Sequence, residues 1–145
     1  MLHCPNAICT QIQLEFFFIR YEKYSFATQL DTSNVYDLEN VNNNGDVKGF
    51  NDTLSILMKT LADKTPLNTK RFATGSRVVN SAVTIYGLEM CFRSVAGPDC
   101  GVCLREAIRD MNECCSGQVG AQVYLGSCTV RFETYPFYNK CAFLP

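Results

Sequence analysis

The residues of this chain with the clearest chemical potential are its nine cysteines, which are many for a length of 145 residues. Three of them, Cys91, Cys100 and Cys103, form a C-x8-C-x2-C motif. In a chain this short, a high cysteine content is typical of proteins that fold in an oxidising compartment and are stabilised by disulfides. The odd number leaves at least one thiol over if all the others pair within the chain. Structural disulfides are therefore the first interpretation of the motif.

Zinc binding and redox catalysis are the two other interpretations of the Cys100 and Cys103 pair. A zinc ribbon needs a second C-x2-C pair or two suitably spaced histidines, whereas the sole histidine is His3. A thiol oxidoreductase would use the pair as a dithiol at a helix start, where the helix dipole favours a thiolate. The βαβ pattern that a thioredoxin-like enzyme needs does not surround the pair. Further zinc ligands would have to come from Cys114, Cys115 or Cys128.

Other catalytic chemistry has little support in the sequence. It contains no glycine-rich phosphate loop, no kinase signature and no nucleophilic triad. Asp99 and Glu106 lie near a predicted helix start, and we interpret them as helix-dipole and surface residues rather than as a catalytic pair. The sequence thus predicts a protein that is not an enzyme and that uses no cofactor and no metal.

Composition and charge restrict the partners. The net charge is −1, the pI is about 5.8, and no run of basic residues is longer than two. Binding to nucleic acid through phosphate contacts, which needs clustered Lys and Arg, is therefore excluded as the main activity. The longest apolar run, residues 16–19, is far shorter than the roughly 20 residues that span a bilayer. With 47% apolar and 19% charged residues, the chain can form a hydrophobic core.

An internal repeat divides the chain. The segment 19–26 returns as 130–137 at an offset of 111 residues, with the shared pattern apolar, Arg, aromatic, Glu, any, Tyr, any, Phe. At the same offset Cys4 falls on Cys115. We interpret residues 1–26 as the C-terminal remnant of a truncated first repeat and residues 27–145 as one complete domain. The first residues lack the pattern of a secretory signal, so we expect a fragment, or a gene whose start has been lost.

Two helices are predicted from the spacing of apolar residues. The first begins after Asp46, a suitable N-cap, and ends before Pro66. The second begins at residues 97–99. Their apolar faces are formed by Phe50, Leu54, Leu57, Met58 and Leu61 in the first helix, and by Cys100, Cys103, Leu104, Ala107, Ile108 and Met111 in the second.

Strands are predicted around Phe72, over residues 82–92 and over residues 122–133, with an edge strand at 134–138. Within 82–92 the expected buried residues are Val83, Ile85 and Leu88. Residues 27–49 are rich in Asn and Asp and are predicted to form a loop, and Gly117 and Gly120 to form the turn after the second helix. Two helices against an antiparallel sheet make an α+β fold.

At this point the sequence resembles a plant family. The features that carry the resemblance are the C-x8-C-x2-C motif, the Gly120-Ala121 strand start, Cys128 and the ending Arg131-Phe132-Glu133. They are similar to the ginkbilobin-homologous, or stress-antifungal, domain of cysteine-rich repeat secretory proteins, plasmodesmata-located proteins and receptor-like kinase ectodomains. The resemblance covers about residues 27–138. It implies an antiparallel sheet of about five strands packed against two helices and stapled by disulfides.

The resemblance also implies disulfide partners. Cys91 would pair with Cys100, and Cys103 with Cys128. In the ginkbilobin member a third bridge joins the Cys115 position to an N-terminal cysteine, whose place Glu39 takes here. Cys115 has therefore lost that partner. Cys114 and Cys141 are substitutes, although adjacent cysteines rarely bridge, and Cys4 and Cys9 have no predictable partners.

A carbohydrate site is a further implication of the resemblance. In the ginkbilobin member, mannose is held by an Asn, an Arg and a Glu, whose positions are occupied here by Asn40, Gln122 and Glu133. Gln122 keeps amide donors but lacks the charge and the two-pronged geometry of Arg. Without sugar binding, Asn40 would be a turn residue, Gln122 an exposed strand residue, and Glu133 a surface charge or a partner of Arg131.

We therefore predict a secreted, non-catalytic recognition module that binds carbohydrate, of a mannose type, or extracellular protein partners, with a role in defence against fungi. A detached ectodomain piece of a receptor-like kinase is the alternative within the family, and the oxidoreductase is the alternative from another class. The sequon at Asn51 is a candidate glycosylation site if the chain is exported.

Overall fold

The structure, a computed structural model, describes residues 10–13, 18–22, 24–43 and 46–139. These residues form seven strands and two α-helices, with one 3-10 turn, Thr65–Leu67, after the first helix. In chain order the elements are β1 (Thr10–Gln13), β2 (Phe18–Tyr21), β3 (Asn34–Asn43), α1 (Val47–Lys64), β4 (Phe72–Val78), β5 (Thr84–Cys91), α2 (Gly97–Cys114), β6 (Gln118–Leu125) and β7 (Cys128–Glu133).

Five of the strands form one antiparallel sheet in the order β3-β6-β7-β5-β4. The short strands β1 and β2 pair with each other as a separate two-stranded sheet. Both helices pack on the same face of the five-stranded sheet, which we call the helix face. The predicted α+β fold of about five antiparallel strands and two helices is confirmed.

The first helix begins and ends where its sequence signals indicate. The Asp46 side chain accepts a hydrogen bond of 3.1 Å from the backbone N–H of Gly49, which satisfies one of the unpaired donors of the first turn. The helix ends at Lys64 because Pro66, in the following 3-10 turn, cannot continue it. The predicted apolar face is buried in full.

The second helix begins at Gly97 with Pro98 in its first turn, where a proline costs no hydrogen bond. Asp99, in that turn, complements the positive end of the helix dipole. Of the predicted apolar stripe, Ile108 is partly buried and the others are fully buried. The helix ends at Cys114, and Gly117 then adopts a positive φ of 84°, a conformation that glycine tolerates best.

The core lies between the helix face and the two helices. Strand β5 contributes every second residue to it, starting with Ile85, as predicted. Leu88 was predicted to be buried there, but this expectation is wrong: Leu88 lies on the opposite face of the sheet because it is an odd number of residues from Ile85. Val83 precedes the strand and packs partly buried against the core.

Three sequence expectations about strands are corrected by the structure. The predicted loop at 27–49 contains the ten-residue edge strand β3. The predicted strand over 122–133 is two strands, β6 and β7, joined by a turn at Gly126 and Ser127, and Gly120 lies inside β6. Residues 134–138 form no strand. Strand β3 was missed because Asn and Asp are rare in strands, and its pairing with β6 overrides that local preference.

Within the described residues, neither helix is apolar enough over a sufficient length to cross a membrane.

Candidate functional site

The three residues expected to hold a sugar meet on the sheet face opposite the helices, which we call the open face. In register, Asn40 of β3 is paired with Gly120 of β6, and Gly120 with Glu133 of β7. Gln122 of β6 lies two residues further along, on the same face. Paired residues in adjacent antiparallel strands point to the same side. The structure therefore brings Asn40, Gln122 and Glu133 together across three neighbouring strands, and we call this group the sheet site.

Glu133 is held in place by Arg131, its neighbour on the same face. One carboxylate oxygen, Oε1, accepts hydrogen bonds of 3.2 Å and 3.0 Å from Nε and Nη2 of Arg131. The guanidinium carbon lies 4.3 Å from the ring centroid of Phe137, and Nη2 donates to the Tyr135 hydroxyl at 3.3 Å. Both charged side chains are mostly buried, at 18% and 11% exposure. The arrangement fixes the direction of the Glu133 carboxylate.

The second carboxylate oxygen of Glu133, Oε2, is buried and has no hydrogen-bond partner among the described residues. It lies against Gly120: a Cβ at that position would come within 2.9 Å of the Glu133 carboxyl carbon and 3.3 Å of the Asn40 Cβ. Because Gly120 has no side chain, this oxygen occupies the place that a Cβ would take. A buried acceptor without a partner costs free energy unless a donor reaches it, so a donor brought to this oxygen would stabilise the site.

The positive charge at the sheet site comes from Arg131, which was expected there only as a partner of Glu133. Gln122 stands where the resemblance implies a sugar-binding Arg, and Arg131 is its direct partner on β7. A guanidinium is therefore present one strand away from the expected position. Arg131 and Gly120 both belong to the site by strand register. If β6 and β7 had been predicted as two strands, the alternation of residues between the two sheet faces would have placed Arg131 and Gly120 on the open face.

The chain segment after β7 packs on the open face of the sheet. The Tyr138 hydroxyl donates a hydrogen bond of 2.8 Å to the backbone oxygen of Gly75 in β4. The Tyr138 ring packs edge-on against Tyr86 of β5, with 6.4 Å between centroids. Partial burial raises the pKa of Tyr138. The segment therefore contacts β4 and β5 through Tyr138, and β7 through the contacts of Tyr135 and Phe137 with Arg131.

The described residues before β3, which we call the N-terminal segment, repeat the contacts that Arg131 makes with Glu133 and Phe137. Arg20 donates to Glu22 Oε1 at 3.0 Å and lies 4.7 Å from the Phe26 ring centroid. These three residues are the repeat counterparts of Arg131, Glu133 and Phe137 at the offset of 111 residues. Each copy thus places a guanidinium between a carboxylate two residues later and an aromatic ring six residues later.

Asp31 joins this N-terminal segment to the main sheet. It forms an ion pair of 2.7 Å with Arg20, and its backbone N–H donates to the Ser127 hydroxyl at 2.8 Å. Partial burial alone would raise the pKa of Asp31, but hydrogen bonds from Ser33 and Arg20 outweigh it, so the net pKa is lowered. Asp31 therefore favours its charged form and anchors the segment at the turn between β6 and β7.

The cysteine motif forms two disulfides. Cys91 is bonded to Cys100, which ties the end of β5 to the first turn of α2. Cys103 is bonded to Cys128, which ties α2 to the start of β7. These are the two pairs that the resemblance implies. Because Cys100 and Cys103 have different partners, they do not form the dithiol of an oxidoreductase, and neither has a free thiolate for zinc.

A third disulfide joins the adjacent residues Cys114 and Cys115. Adjacent cysteines were expected to bridge rarely. Here Cys114 is the last residue of α2 and Cys115 has a non-helical backbone with φ of −129°, so the chain changes direction between them. Cys4, Cys9 and Cys141 lie outside the described residues. Within the described part, no group of three or more His, Cys, Asp or Glu side chains is placed to hold a metal ion.

The glycosylation candidate Asn51 lies in the first half of α1, away from the sheet site. Its side-chain Nδ2 donates a hydrogen bond of 3.4 Å to the Ser116 hydroxyl, and both residues line a cavity of about 260 Å³ between the two helices. The hydroxyl of the sequon's Thr53 donates to the Gly49 backbone oxygen at 2.8 Å. Asn51 is therefore partly exposed at the edge of this cavity, within a formed helix.

Comparison with known proteins identifies the family. Residues 37–135 match the family described as salt stress response/antifungal. The chain is 34% identical over 134 residues to an antimicrobial ginkbilobin-2-like protein of Castanea crenata, covering 92% of this chain and 56% of that protein. It is 34% identical over 136 residues to cysteine-rich repeat secretory protein 38 of Arabidopsis thaliana, covering 92% and 54%.

A solved structure shares the fold. It is the tandem DUF26 ectodomain of the Arabidopsis thaliana cysteine-rich receptor-like protein PDLP8, with a TM-score of 0.75 and 26% identity, over 92% of this chain and 60% of that chain. This chain spans about half the length of the curated relatives it matches. Residues 37–135, which match the family, contain β4 to β7, both helices, most of β3 and the sheet site. The chain therefore belongs to the salt stress response/antifungal (DUF26) family.

Proposed function

We propose that this chain is a non-catalytic extracellular recognition module and that its sheet site binds a carbohydrate. The observation that carries the proposal is the buried Oε2 of Glu133, an acceptor without a hydrogen-bond partner among the described residues, which is packed against Gly120 and near Asn40. A sugar hydroxyl is a donor that could satisfy this oxygen, and it is also an acceptor for an amide N–H. Asn40 and Gln122 supply amide groups on the same face.

The arrangement of charge supports a neutral polyhydroxylated ligand. Oε1 of Glu133 is neutralised by Arg131, so the site presents no net unpaired charge to attract an ion. The Arg-to-Gln replacement at position 122 removes a charge-assisted hydrogen bond, which is about twice as strong as a neutral one. We therefore expect mannose-type glycans to bind more weakly than they would with Arg at position 122.

The disulfides support an extracellular location. All three bonds are formed within the described residues, and such bonds persist in oxidising compartments. The names of two relatives describe an antimicrobial protein and a secretory protein. By analogy with the first, a role in defence against microbes belongs to the proposal.

The division of the chain at residues 26 and 27 also belongs to the proposal. It is supported by the equivalent contacts of Arg20 and Arg131 with their carboxylates and rings. A detached piece of a receptor-like kinase ectodomain would have the same fold, and it remains the alternative. An extracellular protein partner, rather than a glycan, is the second ligand class.

A glycan array tests the proposal. The full chain, produced through a secretory pathway with its disulfides formed, is compared with its Asn40→Ala and Glu133→Gln variants. Asn112→Ala is the matched control, because Asn112 is an exposed amide on α2. We expect both sheet-site variants to lose at least tenfold in glycan affinity and the control to bind as the parent does. Glycan binding that survives in both variants, or no glycan binding by the parent, would overturn the carbohydrate proposal.

A substitution at position 122 extends this experiment. Gln122→Arg restores the charged donor and should raise the affinity for mannose about tenfold, the equivalent of about 1.4 kcal/mol. Gln29→Arg, which adds the same charge at an exposed position away from the sheet site, should leave affinity unchanged. An equal gain in the two variants would show that net charge, and not the site, is responsible.

A further inference from the structure

A buried carboxyl group lies inside the core, apart from the sheet site. Glu89 is on β5, an inner strand of the sheet, and its side chain is 0% exposed. Neither of its carboxylate oxygens has a hydrogen-bond partner in the described part of the chain. Its burial follows from strand alternation, because it shares the helix face with Ile85 and Cys91. Core positions of this kind are normally apolar, since an unpaired charge there is very costly.

Among the residues that the structure describes, no positive charge compensates for the burial of Glu89. Its cross-strand partners are Ala73 on β4 and Val130 on β7, both neutral. The buried residues of α2 are also neutral, as is Thr65, whose hydroxyl donates to the Leu61 backbone oxygen. The charge that acts on Glu89 is the carboxylate of Asp63 on α1, which is negative and therefore repels an ionised Glu89. Burial, followed by the repulsion from Asp63, raises the pKa of Glu89 to about 9.

We propose that Glu89 is protonated in the native fold and that folding of this domain is therefore coupled to the uptake of one proton. The unfolded chain exposes the same carboxyl to water, where it ionises with an ordinary pKa near 4.5. Between these two pKa values the native state binds one proton more than the unfolded state. Since a raised native pKa favours folding in acid, the contribution is fully present below about pH 4.5 and is lost as the pH rises toward 9.

Through this coupling, Glu89 makes the free energy of unfolding larger in acid than at neutral or alkaline pH. From mildly acidic to neutral and alkaline conditions, each pH unit should raise the unfolding equilibrium constant by up to about tenfold through this one group. The helix α1 and strands β4 and β7 enclose Glu89, and β7 also carries Arg131 and Glu133. An alkaline shift would thus weaken the same core that supports the sheet site.

Urea unfolding of the full, oxidised chain at a series of pH values from 5 to 8 tests the proposal. The parent is compared with Glu89→Gln, which removes the titrating group with little change of shape, and circular dichroism reports unfolding because the chain has no Trp. Glu113→Gln, an acid on α2 that is 72% exposed, is the matched control. Between pH 5 and pH 8, we expect the unfolding equilibrium constant of the parent and of the control to rise several-hundredfold more than that of Glu89→Gln.

Equal pH slopes for the parent and Glu89→Gln would overturn the proposal. Should Glu89→Gln fail to fold, the carboxyl ¹³C shift of Glu89 in the parent gives the answer directly. Titration above pH 7 supports the proposal, and titration between pH 4 and 5 in the folded protein contradicts it.

Discussion

The position of the Glu133 carboxylate depends on Gly120 and Arg131. Arg131 holds Oε1 of Glu133 through two hydrogen bonds, and Gly120 leaves room for Oε2. Neither residue is exceptional by type, since glycines and arginines are common in strands and loops alike. Their role comes from the register that places position 120 directly opposite position 133. At the scale of the residue, the sheet site is therefore sensitive to small changes.

Gly120→Ala should disrupt the sheet site. The added Cβ would lie within 2.9 Å of the Glu133 carboxyl carbon, so the carboxylate must move or the strands must separate. We expect a loss of about 1–3 kcal/mol in the free energy of unfolding, typical of overpacking, and loss of glycan affinity. Urea unfolding and a glycan titration measure the two effects.

Gly101→Ala is the matched control for this prediction. Gly101 is a buried glycine inside α2 whose added Cβ would meet only the flexible end of Arg105, at 3.3 Å, and Pro66, at 3.6 Å. Alanine favours a helix interior by roughly 0.5–1 kcal/mol over glycine, so this variant should be as stable as the parent or more so. If Gly120→Ala were as stable as Gly101→Ala, the space beside Gly120 would not be needed.

Arg131→Met should destabilise the chain by about 2–4 kcal/mol, because it leaves the buried Glu133 carboxylate without its charge partner. The double variant Arg131→Met with Glu133→Gln removes both charges and should regain part of that loss. Unfolding free energies of the parent, both single variants and the double variant form a double-mutant cycle. A coupling free energy near zero would contradict the pairing.

At the scale of the elements, the disulfides connect parts that pack against each other. Cys91–Cys100 closes a short loop, with a sequence separation of 9, and Cys103–Cys128 a longer one, with a separation of 25. A cross-link stabilises mainly by restricting the unfolded chain, and the restriction grows with the loop. The two bonds should therefore differ in their contributions, although both start from α2.

Replacing both Cys103 and Cys128 by Ala should cost about 3.5 kcal/mol in unfolding free energy, and replacing Cys91 and Cys100 about 2.7 kcal/mol, by the loop-entropy relation. Urea unfolding under non-reducing conditions measures both losses. The two double variants control for each other, because each removes two mostly buried sulfur atoms. A clearly larger loss for the shorter loop would show that packing, rather than loop closure, dominates.

The N-terminal segment is attached to the sheet through Asp31. Asp31→Asn removes the ion pair with Arg20, so we expect the segment to open more often, and the Gly126 N–H, which donates to Ser33 O at 3.0 Å, to exchange faster with solvent. Because the pKa of Asp31 is lowered, its contribution is present above the ordinary pKa near 3.8 and is lost in stronger acid. Hydrogen exchange measures the change, and unchanged protection relative to the exposed control Asp52→Asn would refute it.

The elements differ in how far the sequence predicts them. Both helices were predicted with correct starts, because Asp46, Pro66 and Pro98 act locally at helix ends. Strand β3 was not, because its polar residues become a strand only through pairing with β6. The sheet site could be predicted only in part, because the resemblance implied Asn40, Gln122 and Glu133 and no other residue of the site. Arg131 and Gly120, in contrast, required the register, and the burial of Glu89 required the packing of α1 on the sheet.

For the whole molecule, the family and the fold are established, and the ligand is the open question. The chain spans about half of its curated relatives, and it contains two copies of the arginine, glutamate and phenylalanine contact, one at each end of the described part. The copy at β7 lies beside Asn40 and Gln122 on the open face. Ligand recognition is therefore expected at this place on the molecule.

Mapping the bound ligand by NMR tests this expectation most directly. A mannose-terminated oligosaccharide is titrated into the ¹⁵N-labelled, oxidised chain, and the shift of each amide signal is recorded. We predict that the largest shifts fall on Asn40, Gly120, Gln122 and Glu133, together with the Arg131 side-chain Nε–H. Shifts concentrated elsewhere, for example around the cavity between α1 and α2, or no shifts at millimolar sugar, would contradict carbohydrate recognition at the sheet site.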